Sequence, residues 1–251
     1  MHQYRLYIPP EKIEADTARL DGEEFHYYTH VLRRREGAIG VFDGVAREWE
    51  ATIVSVERHH AVLHLDRLVR EEHPPEVRIV ACPAVLKGKA LDDVVESAVE
   101  LGAHAIAPVI AERCDPNALK GDVGARLARW HRIAVAAAKQ CGRIALPALS
   151  RPVELAALLA GETGGVRIIC TRHANAEPLL DVLDRAARGA AEIALLVGPE
   201  ADFTPAEIET AIRAGFCAAQ LGPTTLRSGV AVAAALSITS AWRASAQRDA
   251  R

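Results

Sequence analysis

The first 70 residues carry short apolar stretches, RLYI, AIGVFDG, REWEATIVSVER and AVLHLDRLV, several of which alternate hydrophobic and polar positions with period two. That period places every second side chain on one face and predicts a small β-rich unit. One helix, about Glu23 to Arg34, interrupts it, and the charged, proline-bearing EEHPPE at residues 71–76 reads as a linker. From Val77 the rhythm changes. VRIVACPAV, AIAPVI, VRIIC, EIALLVG and AAQLG are apolar runs, separated by helical patterns at ALDDVVESAVELG, through Gln140, at Leu179 to Arg188, from Thr204, and to about Ala246. Strands alternating with helices predict a parallel sheet covered on both faces, an α/β class.

The strand ends hold the first chemical signal. Leu195 to Phe203 reads LLVGPEADF: an apolar run stops at Gly198-Pro199-Glu200, and Thr204-Pro205-Ala206-Glu207 follows in capping-box order. Two further runs end similarly, with CTRHAN after VRIIC and LGPTTLRSG after AAQ. Parallel neighbours present such loops on one edge, where open α/β sheets hold ligands. The three loops offer backbone amides and carbonyls, the Glu200 carboxylate and the Arg227 guanidinium.

Composition removes several classes. Half the residues are hydrophobic (50%) and 25% are charged, as in ordinary globular proteins. No apolar run suggests a membrane span and the N-terminus lacks a signal-peptide pattern, so no membrane role and a cytoplasmic location are expected. The five cysteines are scattered without a CxxC pair, which argues against a disulfide framework or a cysteine zinc site. His26 and His30 have i, i+4 spacing but no third ligand, so no metal is expected. There is no P-loop or GxGxxG, and GETGG at residues 161–165 precedes a strand, reading as a loop.

The net charge is −3: residues 1–74 carry 10 Lys+Arg against 14 Asp+Glu, and residues 75–251 carry 20 against 19. A nucleic-acid surface must then be a local stripe. The helix from Gly124 to Gly142 supplies one. Arg129, Arg132, Lys139 and Arg143 fall within a sector of roughly 80° at helical spacing, with no acidic residue between Arg126 and Arg143. A stripe of one sign suits phosphates. Arg33 and Arg34, in RRRE, suit either a helix C-terminus or an RNA contact.

With these residues in place the chain resembles the RsmE family of SPOUT-class methyltransferases. The resemblance runs through RLYIPP, ESAVELGA, ERC (Glu112 to Cys114), RW with AxxQCGR (Arg129 to Arg143), LxGPE (Leu196 to Glu200) and LGxxxLR (Leu221 to Arg227), over nearly the whole chain. It implies a PUA-like β-barrel at residues 1–72 that binds RNA. It also implies a SPOUT α/β domain with a deep trefoil knot at residues 73–251, and a homodimer. The implied activity is methylation of a uridine N3 in 16S ribosomal RNA, free or in the assembled small subunit, with S-adenosylmethionine as donor. By position in the motifs, Thr171, Gly198, Pro199, Glu200, Leu221, Gly222, Leu226 and Ser228 would hold the donor, Arg143 and Arg227 would stabilise the uracil anion, and Arg129, Arg132, Lys139, Arg33 and Arg34 would contact RNA. The chain departs from the family at GPEADF, where Ala201 and Asp202 replace glycines, and at LRSGVA, where Ser228-Gly229-Val230 replaces Thr-Glu-Thr. These departures keep open a divergent or non-catalytic RNA-binding relative with the same fold.

Overall fold

The computed structural model describes residues 4–32, 39–161 and 165–249. It divides into two compact units, Met1–Pro74 with Val135–Leu146, and Pro75–Ala134 with Pro147–Arg251.

The first unit is a six-stranded sheet: β1 (Arg5–Tyr7), β2 (Ile13–Glu14), β3 (Thr17–Asp21), β4 (Ile39–Phe42), β5 (Arg47–Val56) and β6 (His60–Glu71), in the order β1-β4-β5-β6-β3-β2. All pairs are antiparallel except β1 with β4. The period-two reading holds where burial decides it. Ala61, Leu63 and Leu65 of β6 point inward against Leu6, Leu20 and Val41. Beyond Leu65 the alternation lapses, and Leu68 and Val69 are exposed. The β4–β5 turn is set by Asp43, whose Oδ1 accepts the N–H groups of Val45, Ala46 and Arg47 at 2.8, 2.8 and 3.0 Å. Gly44 follows at φ +77°, and a Cβ there would lie 2.6 Å from the Tyr7 ring, so this turn requires glycine. The helix expected from about Glu23 begins as α1 (Gly22–His26) and continues as a π-helical turn, Tyr27–Leu32. Arg33 and Arg34 lie outside the described residues.

The second unit is built on β7 (Arg78–Pro83), α2 (Ala90–Glu100), β8 (Ala105–Ile106), β9 (Val109–Ile110), α3 (Val123–Cys141), β10 (Ala148–Leu149), β11 (Val153–Glu154), α4 (Leu155–Ala160), β12 (Val166–Cys170), β13 (Glu177–Pro178), α5 (Leu179–Ala186), β14 (Glu192–Val197), α6 (Pro205–Arg213), β15 (Cys217–Gln220) and α7 (Ser228–Asp249). The C-terminal part of α3 clusters with the first unit. Seven strands form a wholly parallel sheet in the order β10-β8-β7-β14-β12-β15-β13. The run AIAPVI is two short strands rather than one. Pro108 has no N–H to extend a central ladder, and β9 keeps only a bridge from Val109 to Ala84 there and pairs with β11. On one face Leu196 and Ile169 pack with Leu155 and Leu159 of α4 and Ile208 and Ala211 of α6. On the other, α7 packs against β7 and β14 and beside α2 and α5. These central strands are apolar on both sides, which is why they read as continuous apolar runs.

Candidate functional site

At the carboxyl ends of the adjacent strands β12, β14 and β15 the sheet opens into a cleft with about 600 Å³ of empty volume. Its walls come from the three loops read in the sequence: Cys170 to Arg172, Val197 to Asp202, and Leu221 to Ala231. Thr171, Gly198, Pro199, Glu200, Leu221, Gly222, Leu226 and Ser228 all line it. Arg227 falls between two lining residues with its side chain exposed. Asp202, read from the sequence as a departure, also lines the cleft, and Arg172, Thr224 and Thr225 line it without having been singled out. Their only signal there was membership of the same loops.

The loops are braced from outside. Thr171 N–H donates to Ala219 O at 2.8 Å, joining the ends of β12 and β15. Arg172 Nη1 donates to Pro223 O at 2.9 Å and links the first loop to the third. Glu200 Oε1 accepts the Lys87 N–H at 3.2 Å, so this carboxylate ties the β14 loop to the β7 loop. The ERC segment does similar work: Arg113 Nη1 donates to Ala201 O at 2.9 Å, and Glu112 N–H donates to Glu207 Oε1 at 2.8 Å. Glu207 Oε2 accepts the Thr204 N–H at 2.8 Å while Thr204 Oγ1 accepts the Glu207 N–H at 3.2 Å, the capping box expected for α6. In contrast, the amides of Gly222, Thr224, Thr225 and Leu226 donate to no backbone carbonyl among the described residues. Amides left unpaired beside a cleft are available to a ligand.

Chemistry at the cleft is restricted by burial. The Cys170 thiol, fully enclosed, is pushed up to about 12 by desolvation and stays protonated at neutral pH. A protonated thiol is no nucleophile, so Cys170 serves as wall. The charged lining groups are Arg172, Glu200 and Asp202.

The basic stripe on α3 is more engaged than its spacing implied. Arg129 donates through Nε and Nη2 to Asp92 Oδ2 at 2.9 and 2.6 Å. The Lys139 ammonium lies 3.0 Å from both Glu24 oxygens and 3.6 Å from the centroid of the Tyr27 ring. Acidic partners contributed by other elements were invisible in a helix without acids of its own. Arg132 is exposed. Arg143 ends the QCGR segment with its side chain half-buried, and its carbonyl accepts Arg5 Nη2 at 2.9 Å. Arg70 Nη2 donates to Gly142 O, and Arg5 Nη1 to Ala138 O at 2.7 Å. Glu48 holds both guanidinium groups, at 2.7 Å from Arg5 and 3.1 Å from Arg70. The carbonyl end of the helix is thus closed by two cations, the sign that suits its dipole. Among the described residues no cluster of His, Cys, Asp or Glu could hold a metal ion, and no helix is long and apolar enough to cross a membrane.

Residues 72–240 match the family described as RNA methyltransferase domain, and residues 20–66 match the RNA methyltransferase PUA domain. A curated relative, ribosomal RNA small subunit methyltransferase E of Synechocystis, is 31% identical over 93% of this chain and 76% of its own length. Among solved structures, a methyltransferase from Legionella pneumophila in complex with S-adenosylmethionine has a TM-score of 0.85 at 26% identity, covering 96% of this chain and 98% of that one. Ribosomal RNA small subunit methyltransferase E from Neisseria gonorrhoeae bound to S-adenosylmethionine has a TM-score of 0.76 at 27% identity, covering 94% and 95%.

Proposed function

We propose, because the chain belongs to the family of ribosomal RNA small subunit methyltransferase E, that it transfers a methyl group from S-adenosylmethionine to the N3 nitrogen of a uridine in 16S ribosomal RNA. One observation carries the reading: the eight motif residues expected to hold the donor come from three separate strand ends and line a single cleft.

The residues present fit that donor. The adenosine and the amino-acid end need donors and acceptors on the backbone, and the unpaired amides from Gly222 to Leu226 supply donors. The Ser228 hydroxyl is buried at the start of α7, at the cleft wall. Bound S-adenosylmethionine supplies an electrophilic methyl group. The protein must expose the uracil, as enzymes acting on bases do, and ease loss of the N3 proton. Arg227 suits the second task. Its side chain is exposed beside the cleft lining and makes no ion pair among the described residues, so it can favour negative charge on uracil as an oxyanion-hole donor does. Arg143 is assigned the same role by its place in QCGR, with a backbone fixed by Arg5. Arg132 is the stripe residue assigned to RNA phosphate.

The reading extends to a knotted donor domain, a homodimer and a cytoplasmic location. The knot is taken from family membership, and the return of the chain from β15 as α7 over β7 and β14 agrees with it without requiring it. The test is calorimetric titration with S-adenosylmethionine, followed by mass analysis of 16S ribosomal RNA from a deletion strain with and without the gene restored. Donor binding and a single uridine losing 14 mass units per methyl group, the general mass of CH₂, are expected. Binding with unchanged ribosomal RNA would favour the non-catalytic relative. That reading is kept in view by Gly229, which stands where the resemblance implies a glutamate and where a Cβ would meet Val94 at 3.9 Å.

A further inference from the structure

Among the described residues, two that are not glycine hold a left-handed backbone, Ala15 and Asp202. Ala15 sits in the tight turn between β2 and β3. Asp202 sits in the cleft wall at φ 59°, in a position where the resemblance read from the sequence implies glycine. Aspartate is one of the few side chains that tolerate this conformation, because a short carboxylate can bond to nearby backbone. Here it does so: Oδ1 accepts the Phe203 N–H at 2.8 Å, and the Asp202 N–H donates to Pro199 O at 2.9 Å. The turn keeps the shape a glycine would give it and gains a negative charge.

That charge is placed, not incidental. A Cβ built on Gly198 would lie 3.0 Å from Asp202 Oδ1, so the carboxylate is folded back over the glycine that ends β14. The described residues donate no second hydrogen bond to it. The other charged groups of the lining are Glu200, which like Asp202 gives one oxygen to a backbone amide, and Arg172, which donates to the Pro223 carbonyl. Asp202 thus adds a second carboxylate to the lining and turns the sum of its charged side chains, with Glu200 and Arg172, to a net negative sign.

We propose that Asp202 makes the cleft select a sulfonium cation over a neutral thioether. On the reading that the cleft holds S-adenosylmethionine, the residue favours the charged donor over S-adenosylhomocysteine, the product left after the methyl group has gone. The two ligands share adenosine, ammonium and carboxylate. They differ only in the methyl group and the positive charge at sulfur, so a nearby carboxylate discriminates them by charge. Loss of that attraction when the sulfur becomes neutral also hastens product release. Asp202 is exposed, so solvent and salt screen the effect.

The test is calorimetric titration of the full chain with both ligands, for the wild type, Asp202→Asn and Asp202→Gly. Asparagine keeps the left-handed turn and an acceptor for the Phe203 amide, and removes only the charge. Glycine removes the side chain and keeps the turn. Both variants should weaken S-adenosylmethionine about three- to tenfold while S-adenosylhomocysteine changes less than about twofold, and the wild-type preference should shrink as salt rises. Equal weakening of both ligands in Asp202→Asn would place the carboxylate on the shared ammonium or in the turn alone and would overturn the proposal. No change for either ligand would overturn it as well. If the wild type bound neither ligand, the donor reading itself would fail, and this inference with it.

Discussion

Two chain ends in this molecule meet the same problem, backbone groups left over where an element stops, and solve it in opposite ways. At the end of α3 the carbonyls of Ala138, Gly142 and Arg143 are taken by Arg5 and Arg70, with Glu48 between the guanidinium groups. Each of those three carbonyls meets a guanidinium N–H. At the ends of β12, β14 and β15 the bracing comes from behind, through Glu200, Arg113, Glu207 and Arg172, while amides along the third loop stay unpaired. Saturated backbone makes a fixed joint. Unsaturated backbone, held still by its surroundings, makes a binding site.

The closed end should be the costlier to disturb. Arg5 and Glu48 have side chains only 2% and 5% exposed. Arg5→Met would leave the Glu48 carboxylate buried with Arg70 as its remaining partner and the Ala138 and Arg143 carbonyls uncapped. Breaking a buried pair costs about 3–5 kcal/mol, and urea unfolding should show a loss in that range. A loss below about 1 kcal/mol, the value of an exposed pair, would mean that the joint is not the closed structure described. Glu48→Gln should fall between these limits.

At the open end, Gly198→Val should separate binding from folding less cleanly than the sequence suggests. A motif glycine beside a ligand reads as a place of close approach, where a larger side chain blocks binding and little else. The structure puts the first atom of any side chain 3.0 Å from Asp202 Oδ1 and 3.2 Å from the buried Phe203 ring. Overpacking of this kind costs about 1–3 kcal/mol. The expected result is a lowered unfolding midpoint together with loss of S-adenosylmethionine binding by calorimetry. An unchanged midpoint with binding lost would show that Gly198 faces the ligand alone.

This difference marks how far the sequence could be read. Apolar period and turn chemistry are local, so the central strands, the Thr204 capping box and the three loops were all legible. Parallel neighbours then brought those loops to one cleft. What escaped was non-local or conformational. The pairing of Arg5 with Glu48 spans 43 positions, and the contact from Arg5 to the Ala138 carbonyl spans 133. The proline break in AIAPVI was visible, but its consequence, a second strand paired with β11, was not. The left-handed turn at Asp202 read as a lost glycine until its carboxylate was seen to hold the same turn.

The smallest effect concerns the cations of α3, where the stripe read from spacing and the stripe observed differ most. Lys139 is held by Glu24 and covered by Tyr27, with 15% of its side chain exposed, whereas Arg132 is exposed. A cation packed against a carboxylate and a ring must leave both to reach RNA, whereas an exposed one can meet phosphate where it stands and release about one counterion. Arg132→Gln should therefore lower the salt dependence of RNA binding by about one unit of slope and leave the unfolding midpoint nearly unchanged. Lys139→Met should do the reverse, with a stability loss of about 1 kcal/mol and an unaltered slope. Filter binding of a 16S ribosomal RNA fragment across a salt series, beside thermal unfolding of the same samples, reads both quantities. Equal slopes lost in the two variants would mean that Lys139 leaves Glu24 for phosphate in the complex, so that the engaged stripe of the free chain opens when RNA binds.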